Sequence, residues 1–273
     1  MDWLLDLKRE MGMRTALFCV LIACLFFSGG CSLISSEKNL VDRLVEDFKN
    51  LTGPPEEEKQ EVKKKAEQYL KERYGEEFYV DDLQYIWVSD RWIMRGHLKN
   101  EKEWDFKVSE DHGQFDDYYF TVRLSRDAEG EFRPQIEKAF DSLINWETSV
   151  SVPDEIEDRY AKSIPSYREL RQKTKRYHQT IRIALATSLT KENQEQELEE
   201  VYRLVSYLNQ NDIQAELEIF YYDPSIRESG IKKVDFRDRI DYEKFLTAKI
   251  EIDDVLQIEK ENDLKNHLRF VSK

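Results

Sequence analysis

The stretch "TIRIALATSL", residues 180–189, decides the fold. It is rich in β-branched and aliphatic residues and bounded by polar chain, and it reads as a strand. Its successor, "TKENQEQELEEVYRLVSYLNQND" (190–212), reads as a helix: Leu198, Val201, Tyr202, Val205 and Leu208 recur on one face, with Thr190 placed to cap it. Two alternating strands follow, "IQAELEIFYYD" (213–223) and "FLTAKIEIDD" (245–254), separated by a long polar loop. A terminal helix fits residues 255–268. On the other side of the anchor stretch, "ETSVSVP" (147–153) alternates as a strand. "SYRELRQKTKRY" forms a short helix after an acidic, proline-bracketed segment over 153–165.

The preceding half repeats the theme. "EEEKQEVKKKAEQYLKERY" is a helix with acids in its first turn and bases later, the polarity that the helix dipole favours. Val62, Ala66, Tyr69 and Leu70 mark its buried stripe. Four strand-like segments follow at 78–88, 92–99, 103–108 and 117–124, joined by short turns, and the pattern predicts an antiparallel meander. "RPQIEKAFDSLINW" (133–146) restores helical spacing through Ile136, Phe140, Leu143 and Ile144. The expected fold class is α+β: two small domains, 56–146 and 147–273, each with helix packed on an antiparallel sheet.

The amino-terminal region is of another kind. "TALFCVLIACLFF" (15–27) is an apolar run of thirteen, short of the roughly 20 residues that span a bilayer but suited to the core of a signal peptide. Arg14 precedes it; Ser28, Gly29 and Gly30 follow. All three cysteines, Cys19, Cys24 and Cys31, lie here, and none occurs in the remaining 242 positions. The body therefore holds no disulfide framework. "SGGC" (28–31) resembles the end of a bacterial lipoprotein signal, in which the cysteine receives a diacylglyceryl thioether. It departs at Ser28, where Leu, Val or Ile is usual. "LIAC" (21–24) matches more strictly, but cleavage there leaves "LFF" at the mature end, so Cys31 is the expected lipidation site and Cys24 the alternative. The first ten residues lack the basic character of a signal, and a start at Met11 or Met13 restores it. Residues 1–30 then form the signal peptide and 31–55 a tether, whose Leu40, Val41, Leu44, Val45 and Phe48 make an amphipathic helix ended by "TGPP".

A second resemblance concerns the body. "AEQYLKERYGEEFYV" (66–80), with the pair Asp117–Tyr118, resembles a helix–strand junction of uncharacterised membrane lipoproteins from Gram-positive bacteria. It implies surface display at the cell membrane and no activity.

Charge narrows the partners. The chain carries a net charge of −14, and residues 1–30 contribute none of it, with three acids against three bases. Nucleic acid and anionic membrane surfaces repel such a body; "KTKRYHQTIR" (173–182), the one basic run, reads as a turn entering a strand. The histidines are His97, His112, His178 and His267, and no H-E-x-x-H, G-x-S-x-G or phosphate loop accompanies them. "EDHGQFDD" (110–117) gathers Asp111, His112, Asp116 and Asp117 but lacks the order of a calcium loop, so it reads as an acidic turn. No catalytic residue, metal or cofactor is expected. Tyr85, Trp87, Trp92, Trp104 and Tyr118 crowd consecutive strands; on a wet face they would present a surface to a peptide, glycan or protein, and on the other they fill the core. The expected function is a lipid-anchored, extracytoplasmic binding protein of the cell envelope. The alternatives are an envelope hydrolase pairing Glu110 with Asp116 or Asp117, and an immunity lipoprotein.

Overall fold

The structure, a computed structural model, describes residues 54–99, 101–238 and 240–271. The signal peptide, both candidate lipidation cysteines and the tether up to residue 53 lie outside the described residues.

The described chain is α+β, with two sheets and helices packed on each. It opens with α1 (Glu56–Tyr74), a 19-residue helix that buries Ala66, Leu70 and Tyr74 and ends on Gly75 at φ 79. A left-handed C-cap costs a β-carbon dearly and glycine nothing, which explains the "YGEE" junction. The first sheet is a meander in the order β1 (Phe78–Ile86), β2 (Arg91–Leu98), β3 (Glu101–Asp111), β4 (Gln114–Asp117). Every neighbour is antiparallel. His112 and Gly113, at φ 50 and 84, close the β3–β4 hairpin. Positive φ at both central residues is the mirror-image turn that suits the twist of paired strands.

The strand expected at 117–124 stops at Asp117. Residues Tyr119–Ala139 form α2, a 21-residue helix. Tyr119, Phe120, Leu124, Ala128, Phe132 and Ile136 are all buried on it. Local aromatic and β-branched content favours strand, but the 3.6-residue spacing of large apolar groups prevails, since each such side chain fully buried contributes about 1.5–3 kcal/mol. Pro134 lies inside this helix rather than at the start of a new one. Residues 143–146, expected to be helical, belong to β5 (Leu143–Ser151), so the boundary drawn at 146/147 falls within a strand. Helix α2 serves both regions. Tyr119 meets Tyr74, Phe78 and Phe106 at ring-centroid distances of 4.8, 4.9 and 5.1 Å, while Phe132 meets Tyr167 at 5.7 Å. One apolar cluster thus runs from Leu70 to Leu217.

After β5 come two short helices, α3 (Asp154–Tyr160) and α4 (Tyr167–Lys173), the second capped reciprocally by Ser166 and Glu169. The anchor stretch then becomes β6 (His178–Leu185), followed by α5 (Gln194–Gln210), β7 (Glu216–Tyr222), β8 (Leu246–Ile252) and β9 (Leu268–Phe270). Asn193, not Thr190, precedes the first turn of α5; its Oδ1 accepts from the Thr190 amide at 2.7 Å. The second sheet runs β5-β6-β7-β8-β9 and is mixed, because β6 and β7 pair in parallel. A strand, a long helix and a strand return the chain to the same edge, and that crossover makes parallel neighbours. The expected terminal helix is replaced by two 3₁₀ turns, Val255–Gln257 and Glu261–Asn266, and by β9.

The loop between β7 and β8 is less polar than expected. Ile226, Val234 and Phe236 pack with Phe220 and Tyr222 on the second sheet's far face. Asn145 clamps this loop: its Nδ2 donates to Val234 O at 3.1 Å, and its Oδ1 accepts from Val234 N at 2.7 Å.

Gly96 marks the tightest packing in the first sheet. A β-carbon there would stand 2.6 Å from Phe106 Cζ and 3.1 Å from Val108 Cγ2. Phe106 is buried and edge-on to Phe78 at 5.7 Å, so the ring has little room to yield. Gly96→Ala is therefore expected to destabilise by about 1–3 kcal/mol in urea unfolding; an unchanged midpoint would show that the ring moves freely.

Candidate functional site

A cleft of about 850 Å³ lies where the two sheets meet along α2. The first sheet contributes Gln84, Ile93, Arg95 and Lys107. From α2 and the residue before it come Tyr118, Thr121, Val122, Ser125, Arg126 and Glu129. The second sheet adds Glu147, Ser149, Ser151 and Arg182, and the clamped loop delivers Arg237. Glu147, Ser149 and Ser151 alternate along β5 with Val150, which is wholly buried, and Thr148 reaches the cleft as well. The helix is tied to that strand where Ser125 Oγ accepts from the Val150 amide at 2.9 Å and donates to Thr121 O at 2.6 Å.

The charge in the cleft differs from that of the chain. Arg95, Lys107, Arg126, Arg182 and Arg237 face Asp82, Asp105, Glu129 and Glu147, five cations against four carboxylates, in a chain of net −14. Most are internally matched. Arg95 pairs with Asp82, and with Asp81 and Asp105 at 3.5 and 3.4 Å. Arg182 is half-buried between Glu147 at 3.2 Å and Glu218 at 2.5 Å, one row across three strands. Lys107 and Arg237 differ: among the described residues neither has a carboxylate within 4.0 Å. Lys107 Nζ instead stands 6.0 Å from the centre of the Tyr118 ring, which is 48% exposed.

The five aromatics that would present a surface on a wet face, or fill the core on the other, are distributed. Trp92 is 3% exposed and belongs to the core. Tyr85 packs on it at 5.0 Å, with its hydroxyl donating to Asp90 at 2.7 Å. Trp104 is partly buried under the Arg123 guanidinium at 5.2 Å. Trp87, 60% exposed, sits at the β1–β2 turn. Only Tyr118 lines the cleft. A β-bulge explains the inward turn of Tyr85: Asp81 pairs with Arg95 and Gln84 with Ile93, so two residues oppose one and the later side chains change face.

The acidic candidates separate likewise. Asp116 pairs with Ser109, whereas Asp117 and Glu110 fall on the other face of the same strands. Asp117 is fully engaged, accepting from Tyr74 and Tyr69 hydroxyls at 2.8 and 2.9 Å and from the Tyr119 amide at 2.9 Å. Glu110 caps its own hairpin through the Gly113 amide. Asp117 and Glu110 thus share a face but are each engaged by other donors, and Asp116 lies on the opposite face. Asp111 is paired with Arg91 at 2.8 Å, and no group of three or more His, Cys, Asp or Glu among the described residues is placed to hold a metal ion. In the basic run, Lys175 and Arg176 are paired with Asp212 and Glu155.

No protein-family model matches the sequence, and no curated protein does. The chain is similar to a solved structure of a DUF5037 family protein from Ruminococcus gnavus ATCC 29149, at 21% identity, over 63% of this chain and 79% of that one, with a TM-score of 0.39. A likeness at that score carries no functional argument.

Proposed function

We propose that the protein is a lipid-anchored lipoprotein on the extracytoplasmic face of the cell membrane, where it binds an envelope glycan or protein without catalysing a reaction. The observation that carries this reading is Cys31, which follows a thirteen-residue apolar run and "SGG" and precedes a thiol-free body. A diacylglyceryl thioether there holds the body at the bilayer, since two acyl chains give stable anchoring where one does not. Among the described residues no helix is long and apolar enough to cross a membrane. The cleft between the sheets serves as the binding site, being large enough for a drug-sized ligand.

Metabolic labelling with a radioactive fatty acid tests the anchor. The wild type is expected to incorporate label, and Cys31→Ser to lose it. Label retained by Cys31→Ser and lost by Cys24→Ser would overturn the assigned site.

A further inference from the structure

We propose that the cleft binds a short acidic carbohydrate, its carboxylates held by Lys107 and Arg237 and one sugar ring resting on Tyr118. This deepens the binding-protein reading and rests on it. The ligand's charge follows from the two cations. A chain of net −14 has carboxylates to spare, yet among the described residues these two cleft side chains meet none. The other cations of the cleft are matched within it. An incoming anion therefore meets two unpaired positive groups, and charge-assisted hydrogen bonds to carboxylate are about twice as strong as neutral ones.

The rest of the lining points to sugar. Thr121, Ser149 and Ser151 hydroxyls make no hydrogen bond within the described residues, and nor does that of Tyr118, so they are open to a ligand's hydroxyl groups. The Tyr118 ring is half exposed and offers a flat apolar surface beside them. Size limits the ligand in turn. About 850 Å³ accommodates a short oligomer, while the acidic surface beyond the cleft repels a long polyanion such as nucleic acid.

The test is calorimetric titration of the full chain in detergent with trigalacturonate, neutral galactotriose and triglutamate. Trigalacturonate is expected to bind at least about tenfold more tightly than galactotriose. Lys107→Gln and Arg237→Gln should each weaken it by about tenfold or more, with unchanged melting temperatures, because neither side chain has an ion pair to lose. Equal binding of both sugars, a preference for triglutamate, or unaltered affinity in both variants would overturn the proposal. A lipidated chain that binds none of the three would sink the ligand assignment and leave the anchored-protein reading standing. Sugar binding by a chain that carries no lipid would do the reverse.

Discussion

Replacing Asp117 by alanine is expected to cost about 3–5 kcal/mol of folding stability, the range for removing one partner from a buried charged network. The carboxylate is the acceptor on which the first region converges. It joins α1, through Tyr69 and Tyr74, to the first turn of α2, through the Tyr119 amide. Arg73 Nε lies 3.9 Å away, and its guanidinium also reaches Glu157 at 2.9 Å and Asp158 at 3.1 Å. Burial and then the charge of Asp117 push the Tyr69 and Tyr74 phenols well above their ordinary range, so both remain protonated donors. Burial pushes Asp117 itself upward against these hydrogen bonds. Alanine would leave the Tyr69 hydroxyl and the Tyr119 amide without their acceptor and the Tyr74 hydroxyl with Glu157 alone, at 3.1 Å, and a buried donor left unsatisfied costs about 1–3 kcal/mol. Asp117→Asn keeps the shape and one acceptor oxygen and should lose less. Urea unfolding of both variants measures the difference. A loss below about 1 kcal/mol for Asp117→Ala would mean that the tyrosines find other partners.

Glu197 governs the second large effect. It lies on the buried face of α5 at 8% exposure; among the described residues its Oε2 has no hydrogen-bond partner, and neither does the hydroxyl of fully buried Tyr221. Burial first, and then the charge of Glu200, push its carboxyl up to about 7 from an ordinary 4.5. Burial raises Glu200 too, against the pull of Arg203. Because the folded value is raised, the folded chain holds the Glu197 proton between pH 4.5 and 7 while the unfolded chain releases it. The contribution is complete below pH 4.5 and is lost as pH rises through 7, a fall on the order of 3 kcal/mol. Glu197→Gln cannot titrate there. Unfolding free energies of the two proteins at pH 5, 6, 7 and 8 should therefore diverge, with the variant gaining on the wild type at high pH. Groups common to both cancel, and parallel profiles would contradict the assignment.

Periodicity made the fold legible where one face of an element meets water. The stretch 180–189, the helix after it and the strands at 213–223 and 245–254 all fall within a few residues of β6, α5, β7 and β8. Pairing direction needed connectivity instead, since a helix between two strands forces the parallel β6–β7 neighbours. At 117–124 local propensity failed, because Tyr119, Phe120 and Leu124 are committed to the core of a helix that continues to Ala139. The bulge at Asp81–Gln84 is a single-residue event that reverses side-chain parity, and no alternation pattern reveals it. The cleft was least legible. Lys107, Tyr118 and Arg237 are far apart along the chain, and what distinguishes Lys107 and Arg237 is that, among the described residues, no carboxylate stands within 4.0 Å of either side-chain cation. That property depends on every other ion pair having formed. Arg237 is one base in the charged run "DFRDRIDYEKF" (235–245), and the Asn145 clamp on Val234, with the packing of Val234 and Phe236 on the second sheet, holds its loop at the cleft.

Mass spectrometry of the protein extracted from membranes tests the anchoring claim most directly. The account predicts a chain that begins at Cys31, with residues 1–30 removed and the cysteine sulfur carrying a diacylglyceryl group. A chain that keeps its leader, with Cys31 as a free thiol, would contradict it.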